Sequence, residues 1–134
     1  MSRVKRVLLY VMSAAYCFAG FNHLLNPDFY LPIIPPGLPS PEWLNLLSGL
    51  FEIVLGVYLL EPRTRILSAW GIIALLVAVF PANVYMAQAN VGPEGPGTGA
   101  GAANWLRLPF QIVFVVWAWW YTIPDDETRA APLL

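Results

Sequence analysis

An all-α fold, a transmembrane four-helix bundle with both termini cytoplasmic, is what this sequence predicts, and three observations carry it. Of its 134 residues, 58% are hydrophobic and only 11% are charged, against roughly 45–50% and 25% in an ordinary soluble domain. Four apolar runs approach or exceed the roughly 20 residues that cross a bilayer. The basic residues gather at one side of those runs only.

The first run covers residues 4–25. It is too long for the apolar core of a signal peptide and lacks a small-residue cleavage site, so it reads as a retained span. The second covers 42–60, the third 65–90 and the fourth 104–123, within a single domain over 1–134. Inside lipid such segments are helices, because no water is present to pair free backbone groups. Arg3, Lys5 and Arg6 precede the first span, Arg63 and Arg65 lie between the second and third, and Arg129 follows the fourth. The other two loops carry no Lys or Arg, which puts both termini in the cytoplasm by the positive-inside rule. Trp43 and Trp105 then fall near the outer interface, and Trp119, Trp120 and Tyr121 near the inner one. The expected setting is a bacterial inner (plasma) membrane, crossed several times.

The two outer connections differ. Residues 26–41, NPDFYLPIIPPGLPSP, hold six prolines among apolar side chains. Proline forbids continued helix and imposes extended or turn geometry, so this proline-rich outer loop between helices 1 and 2 reads as a stiff cap. The second, VGPEGPGTGAGAAN, is small and glycine-rich and reads as a flexible linker. Its glycines form no phosphate-binding fingerprint, lacking the strand and the Lys-Ser/Thr that such a motif needs. The tail PDDETR reads as a solvated end.

Several functions are excluded. A net charge of −1 offers no basic stripe for nucleic acid. Cys17 is the only cysteine, so no internal disulfide or CxxC redox pair exists. Cys17, Met12 and Met86 read as packing. No metal-ligand cluster or electron-carrying motif is present.

Polar groups inside spans usually face the bundle interior and mark sites. Glu52 lies near the middle of the second span, with Ser48 and Asn45 above it on the same face and Gly49 and Gly56 alongside. Ser13, Tyr16, Gly20 and His23 share a face of the first span. Asn83 follows Pro81 in the third, and Arg107 and Gln111 are four apart in the fourth, hence on one face. His23, Ser48, Glu52, Asn83, Arg107 and Gln111 thus converge at one level, between midplane and outer surface, from four separate helices. Bland readings stand beside this one. Arg107 snorkels to the interface or forms a structural ion pair with Glu52, His23 caps its helix through the last carbonyls, and Asn83 satisfies backbone freed by Pro81.

The segments GFNHLLNPDFY, IPPGLPSP, LSGLFEIVLGVYLL, FPANVYMA and RLPFQIVFVVWAWWYT, in that order, resemble the DoxX-like group of small four-helix membrane proteins. The resemblance matches His23 and Pro27 to that group's first-helix histidine and proline, Glu52 to its second-helix acid, Pro81 and Asn83 to its third-helix turn, and Arg107, Pro109 and Gln111 to its fourth-helix motif. It implies subunits of quinone-linked oxidoreductases, thiosulfate oxidation systems among them, or membrane chaperones. The paired-cysteine chemistry of a related four-helix class is closed to a chain with Cys17 alone.

The leading functional expectation is a quinone-interacting subunit of a membrane oxidoreductase system, with quinone as cofactor. Glu52 and His23 would be its catalytic residues, Glu52 relaying a proton, while Arg107, Gln111, Asn83 and Ser48 bind the ligand. It would be at most a docking subunit, since a partner must donate the electrons. The alternative is a non-catalytic membrane chaperone or assembly subunit that holds a lipid or another membrane protein. A small-anion transporter resting on Arg107 ranks last. Partners are the lipid bilayer and either a partner subunit or further copies of the chain.

Overall fold

A computed structural model describes residues 1–131. Among them are six α-helices, one 3-10 turn and no strand beyond an isolated bridge between Gly92 and Gly95, so the fold is all-α. Four long helices follow the predicted runs: α1 (Arg3–Leu25), α3 (Pro41–Tyr58), α4 (Arg65–Gln88) and α5 (Ala102–Trp119). Two short ones, α2 (Pro27–Tyr30) and α6 (Asp126–Ala130), lie outside them. Ser2 starts α1, its hydroxyl accepting from the Lys5 N–H, the usual service of a hydroxyl at that position.

Only α1 and α4 are long and apolar enough to cross a membrane, half of the predicted four. α3 and α5 have 18 residues each, about 27 Å at about 1.5 Å per residue, against a hydrocarbon core of about 30 Å. Glu42, Asn45 and Glu52 dilute the apolarity of α3, and Asn104, Arg107 and Gln111 that of α5.

Both outer connections correct the sequence reading. Pro27 opens α2 and Pro32 lies in the first turn of the 3-10 turn Leu31–Ile33, where a missing N–H leaves nothing unpaired. The proline-rich segment is therefore a partly helical cap, packed on α1, α3 and α4. The glycine-rich loop is pinned rather than loose. Asn90 sits in the left-handed region at φ 46°, which asparagine tolerates, and its Oδ1 accepts from the Gly101 N–H at 2.8 Å. Asn104 Nδ2 donates to the carbonyls of Met86 and Val91 at 3.4 and 3.3 Å.

The tightest seam joins α1 to α3, and glycines make it. A Cβ on Gly20 would lie 2.5 Å from the Gly49 carbonyl, one on Gly49 2.7 Å from His23 Cβ, and one on Gly56 2.9 Å from Cys17 Sγ. Ser13 Oγ fastens the seam by donating to the Gly56 carbonyl at 2.7 Å. α4 packs on α5 and on α3, whereas α1 and α5 are separated by a cavity. Buried Leu9, Met12, Leu59, Ile72 and Tyr121 form the core, at the end where α1 begins and α5 ends.

That inner end holds an ion network where the sequence suggested a solvated tail. Asp125 caps α6 through a reciprocal pair with Thr128. Arg65, 3% exposed, donates to the carbonyls of Leu59 and Leu60 at 3.2 and 3.1 Å and to Glu127 at 3.1 Å. Arg6 reaches the other Glu127 oxygen at 2.5 Å, and Lys5 and Arg65 each stand 3.8 Å from Asp125 Oδ2. Burial alone would raise the Asp125 carboxyl. The Thr128 N–H and the charges of Arg65 and Lys5 outweigh it and hold the group below the ordinary carboxylate range. Glu127 is lowered too, its hydrogen bonds from Arg6 and Arg65 overriding desolvation.

The exterior inverts the usual pattern. Large apolar side chains are exposed on all four long helices, among them Phe18 at 75% and Leu67 at 74%, with Phe51 and Ile112. Lys5, Ser13, Asn45, Arg65, Ser68, Asn104 and Gln111 are buried.

Candidate functional site

His23 is held from three sides. Its Nδ1 lies 2.7 Å from Asn45 Oδ1, and Asn45 Nδ2 donates back to the His23 carbonyl at 2.9 Å. Tyr30 of the cap stacks on the imidazole with ring centroids 3.6 Å apart, and Asn22 Nδ2 fixes the Tyr30 hydroxyl at 2.7 Å. His23 Nε2 points at Glu52 Oε2, 3.5 Å away. Both side chains are mostly buried, 15% and 17% exposed. Among the described residues Oε2 has no hydrogen-bond partner, an uncommon state for a buried oxygen and one that calls for a reason.

The seam explains the approach. Gly49, one turn above Glu52 in its helix, leaves the room that His23 Cβ occupies. Any side chain there would push the imidazole off the acid.

Two cavities meet at Glu52. A lateral one of about 670 Å³ lies between α1 and α5, with Tyr16, Glu52, Asn83, Arg107 and Gln111 as its polar lining and apolar side chains elsewhere. An outer one of about 360 Å³ lies under the cap, bounded by His23, Tyr30, Asn45, Ser48, Glu52 and Arg107 among others. Glu52, Asn83 and Arg107 border both. Arg107 also borders a third space of about 330 Å³ beneath the glycine-rich loop.

All six predicted site residues therefore surround two adjoining cavities, although their roles divide. Glu52 faces His23 rather than Arg107, and Arg107, exposed, has no ion pair among the described residues. His23 does not cap its helix; Asn26 closes α1 with its N–H on the Asn22 carbonyl. Asn83 does not serve the backbone near Pro81 directly. Its Nδ2 donates to Gln111 Oε1 at 2.7 Å, and Gln111 Nε2 donates to the Leu76 carbonyl. That carbonyl neighbours Val77, whose own helical partner is lost at Pro81. With both ends of Gln111 engaged, this pair ties α4 to α5. Asn45, Tyr30 and Tyr16 complete the site. Asn45 and Tyr16 had a signal, their helical spacing from Glu52 and His23. Tyr30 had none, because its place depends on the cap folding back.

Fold and site together define a small all-α protein with exposed apolar side chains on its long helices, an apolar core at one end and a polar cluster around one acid and one histidine at the other. The chain belongs to the family described as Domain of unknown function (DUF8561), whose model matches residues 12–122. This overturns the resemblance to the DoxX-like group, and the roles carried over from that group lapse with it. No curated protein and no solved structure matches the chain.

Proposed function

We propose that this chain is a multi-pass membrane protein, both termini on the cytoplasmic side, whose lateral cavity binds a lipid-soluble carbonyl compound of the quinone class. One observation carries the reading. A cavity of about 670 Å³, largely apolar, opens between α1 and α5 and holds an acid and a guanidinium on its walls. Pockets for small apolar ligands have this make-up, a greasy lining with a few placed polar groups. The membrane setting is supported by the two helices that can span a bilayer. The exposed apolar side chains on α1, α3, α4 and α5 support it further, since soluble monomers rarely expose contiguous patches beyond a few hundred Å².

In this reading Arg107 and Glu52 meet the carbonyl oxygens, Asn83 and Gln111 keep the wall of the cavity in place, and Ser48 lines the outer chamber. Electrons come from a partner, because none of these side chains carries them. The chain is a docking subunit.

The test is binding. The full chain in lipid nanodiscs, titrated with a short-chain benzoquinone, should show saturable quenching of tryptophan emission. Val79→Phe, which fills a wall common to both cavities, should weaken it about tenfold or more, about 1.4 kcal/mol, with helix content unchanged. Quenching that never saturates, or is indifferent to Val79→Phe, sinks the reading and favours an assembly subunit that leaves the cavity unused.

A further inference from the structure

We propose that Asn45, His23 and Glu52 form an oriented proton-holding unit between the outer and lateral cavities, in which Asn45 sets the imidazole tautomer. This rests on the proposed ligand site only for what the proton serves, since the unit itself is defined without any ligand.

The His23 backbone oxygen can only accept, so the end of the Asn45 side chain that touches it at 2.9 Å is the amide nitrogen. Side-chain amides are oriented by such partners. The Asn45 oxygen is therefore the atom 2.7 Å from His23 Nδ1, and an oxygen acceptor demands an N–H there. A neutral imidazole has one N–H, so Nε2 is bare. Free histidine favours the other tautomer; here Asn45 reverses the preference.

A bare Nε2 faces Glu52 Oε2 at 3.5 Å, and that oxygen has no other partner. The unit has a place for one proton between two atoms. It resides on Glu52 as a carboxylic acid directed at Nε2, or on Nε2 as imidazolium beside a carboxylate. Transfer breaks O–H as N–H forms, with no change in total charge. A proton given up by Glu52 toward the lateral cavity leaves a carboxylate beside neutral imidazole, and one taken up from the outer cavity restores the acid. Were the tautomer reversed, an N–H would point at the acid and the imidazole could not accept from it. Tyr30, stacked at 3.6 Å, and the glycine-lined seam keep the ring from turning. Asn45 is a positioning residue, acting on Glu52 only through His23.

His23 is the only histidine in the chain, so its ring nitrogens can be read without assignment. The full chain, labelled with 15N-histidine in nanodiscs without quinone, should show a protonated Nδ1. Its Nε2 resonance should fall between the positions of bare and protonated nitrogens. Glu52→Gln should keep Nδ1 protonated and move Nε2 to the bare position, since an amide N–H is not transferable. Asn45→Ala should lose the Nδ1–H majority, and Asn45→Asp, which restores an acceptor, should regain it. A protonated Nδ1 that persists in Asn45→Ala overturns the role of Asn45. A wild-type Nε2–H tautomer, or an Nε2 signal unmoved by Glu52→Gln, overturns the unit outright, and both remain measurable if Asn45→Ala fails to fold. Failure of quinone binding leaves this result untouched, so the two proposals fall separately.

Discussion

Among the described residues two buried carboxylate oxygens lack a hydrogen-bond partner, Asp125 Oδ2 at the inner end and Glu52 Oε2 in the outer half, and their surroundings could hardly differ more. Asp125 stands between two cations at 3.8 Å, Lys5 and Arg65, above a closed apolar core. Glu52 has a single imidazole at 3.5 Å and a cavity on either side. Charges compensated by fixed cations from several directions lock a structure, whereas an acid with an imidazole, no paired cation and open space beside it is free to react. The inner end is closed and compensated, and the outer half keeps an acid beside open space.

Arg65→Ala should give the largest effect. It removes two carbonyl contacts and one of the two cations at each of Glu127 and Asp125, and breaking a buried ion pair costs about 3–5 kcal/mol. Equilibrium unfolding in detergent would measure it, and a loss under about 1 kcal/mol, the range of exposed ion pairs, would break the contrast between the two ends. Acid should act on the same end with a smaller effect. Asp125 and Glu127 are held below their ordinary values. Their contribution is therefore complete above the unfolded carboxylate range, about pH 4, and is lost as pH falls through the lowered folded values. Limited proteolysis near Arg129 should accelerate below about pH 4 and not between neutrality and there. The smallest change in stability is expected from Glu52→Gln. Glutamine keeps the size of the side chain and can direct an N–H at the bare Nε2 as the acid directs its O–H, so stability should hold within about 1 kcal/mol. A fall of about 3 kcal/mol, the scale of a broken buried pair, would make the outer half as structural as the inner.

The long helices were legible in the sequence because apolar runs and polar breaks mark them. The convergence of His23, Glu52, Asn83, Arg107 and Gln111 was legible because helical spacing fixes depth. Which of them touch was not, since that depends on rotation and on close approach at Gly20 and Gly49. Arg65 and Glu127, 62 residues apart, left no local sign of their pairing, and each looked like an ordinary surface charge. Asp125 to Thr128 did carry a cap signature, easily read as tail. The DoxX-like resemblance has a physical lesson as well. Its most telling segments, around Pro81 and Pro109, hold the Asn83–Gln111 pair that joins two proline-bearing helices, and such ties arise wherever helices of this kind pack.

The glycine seam between α1 and α3 has a consequence for motion. His23 belongs to one side of it and Glu52 to the other, so their separation is set where the backbones touch. The lateral cavity opens elsewhere, between α1 and α5. On the proposed reading a ligand entering there parts α1 from α5, while the acid and imidazole, set across the seam where the backbones touch, keep their register.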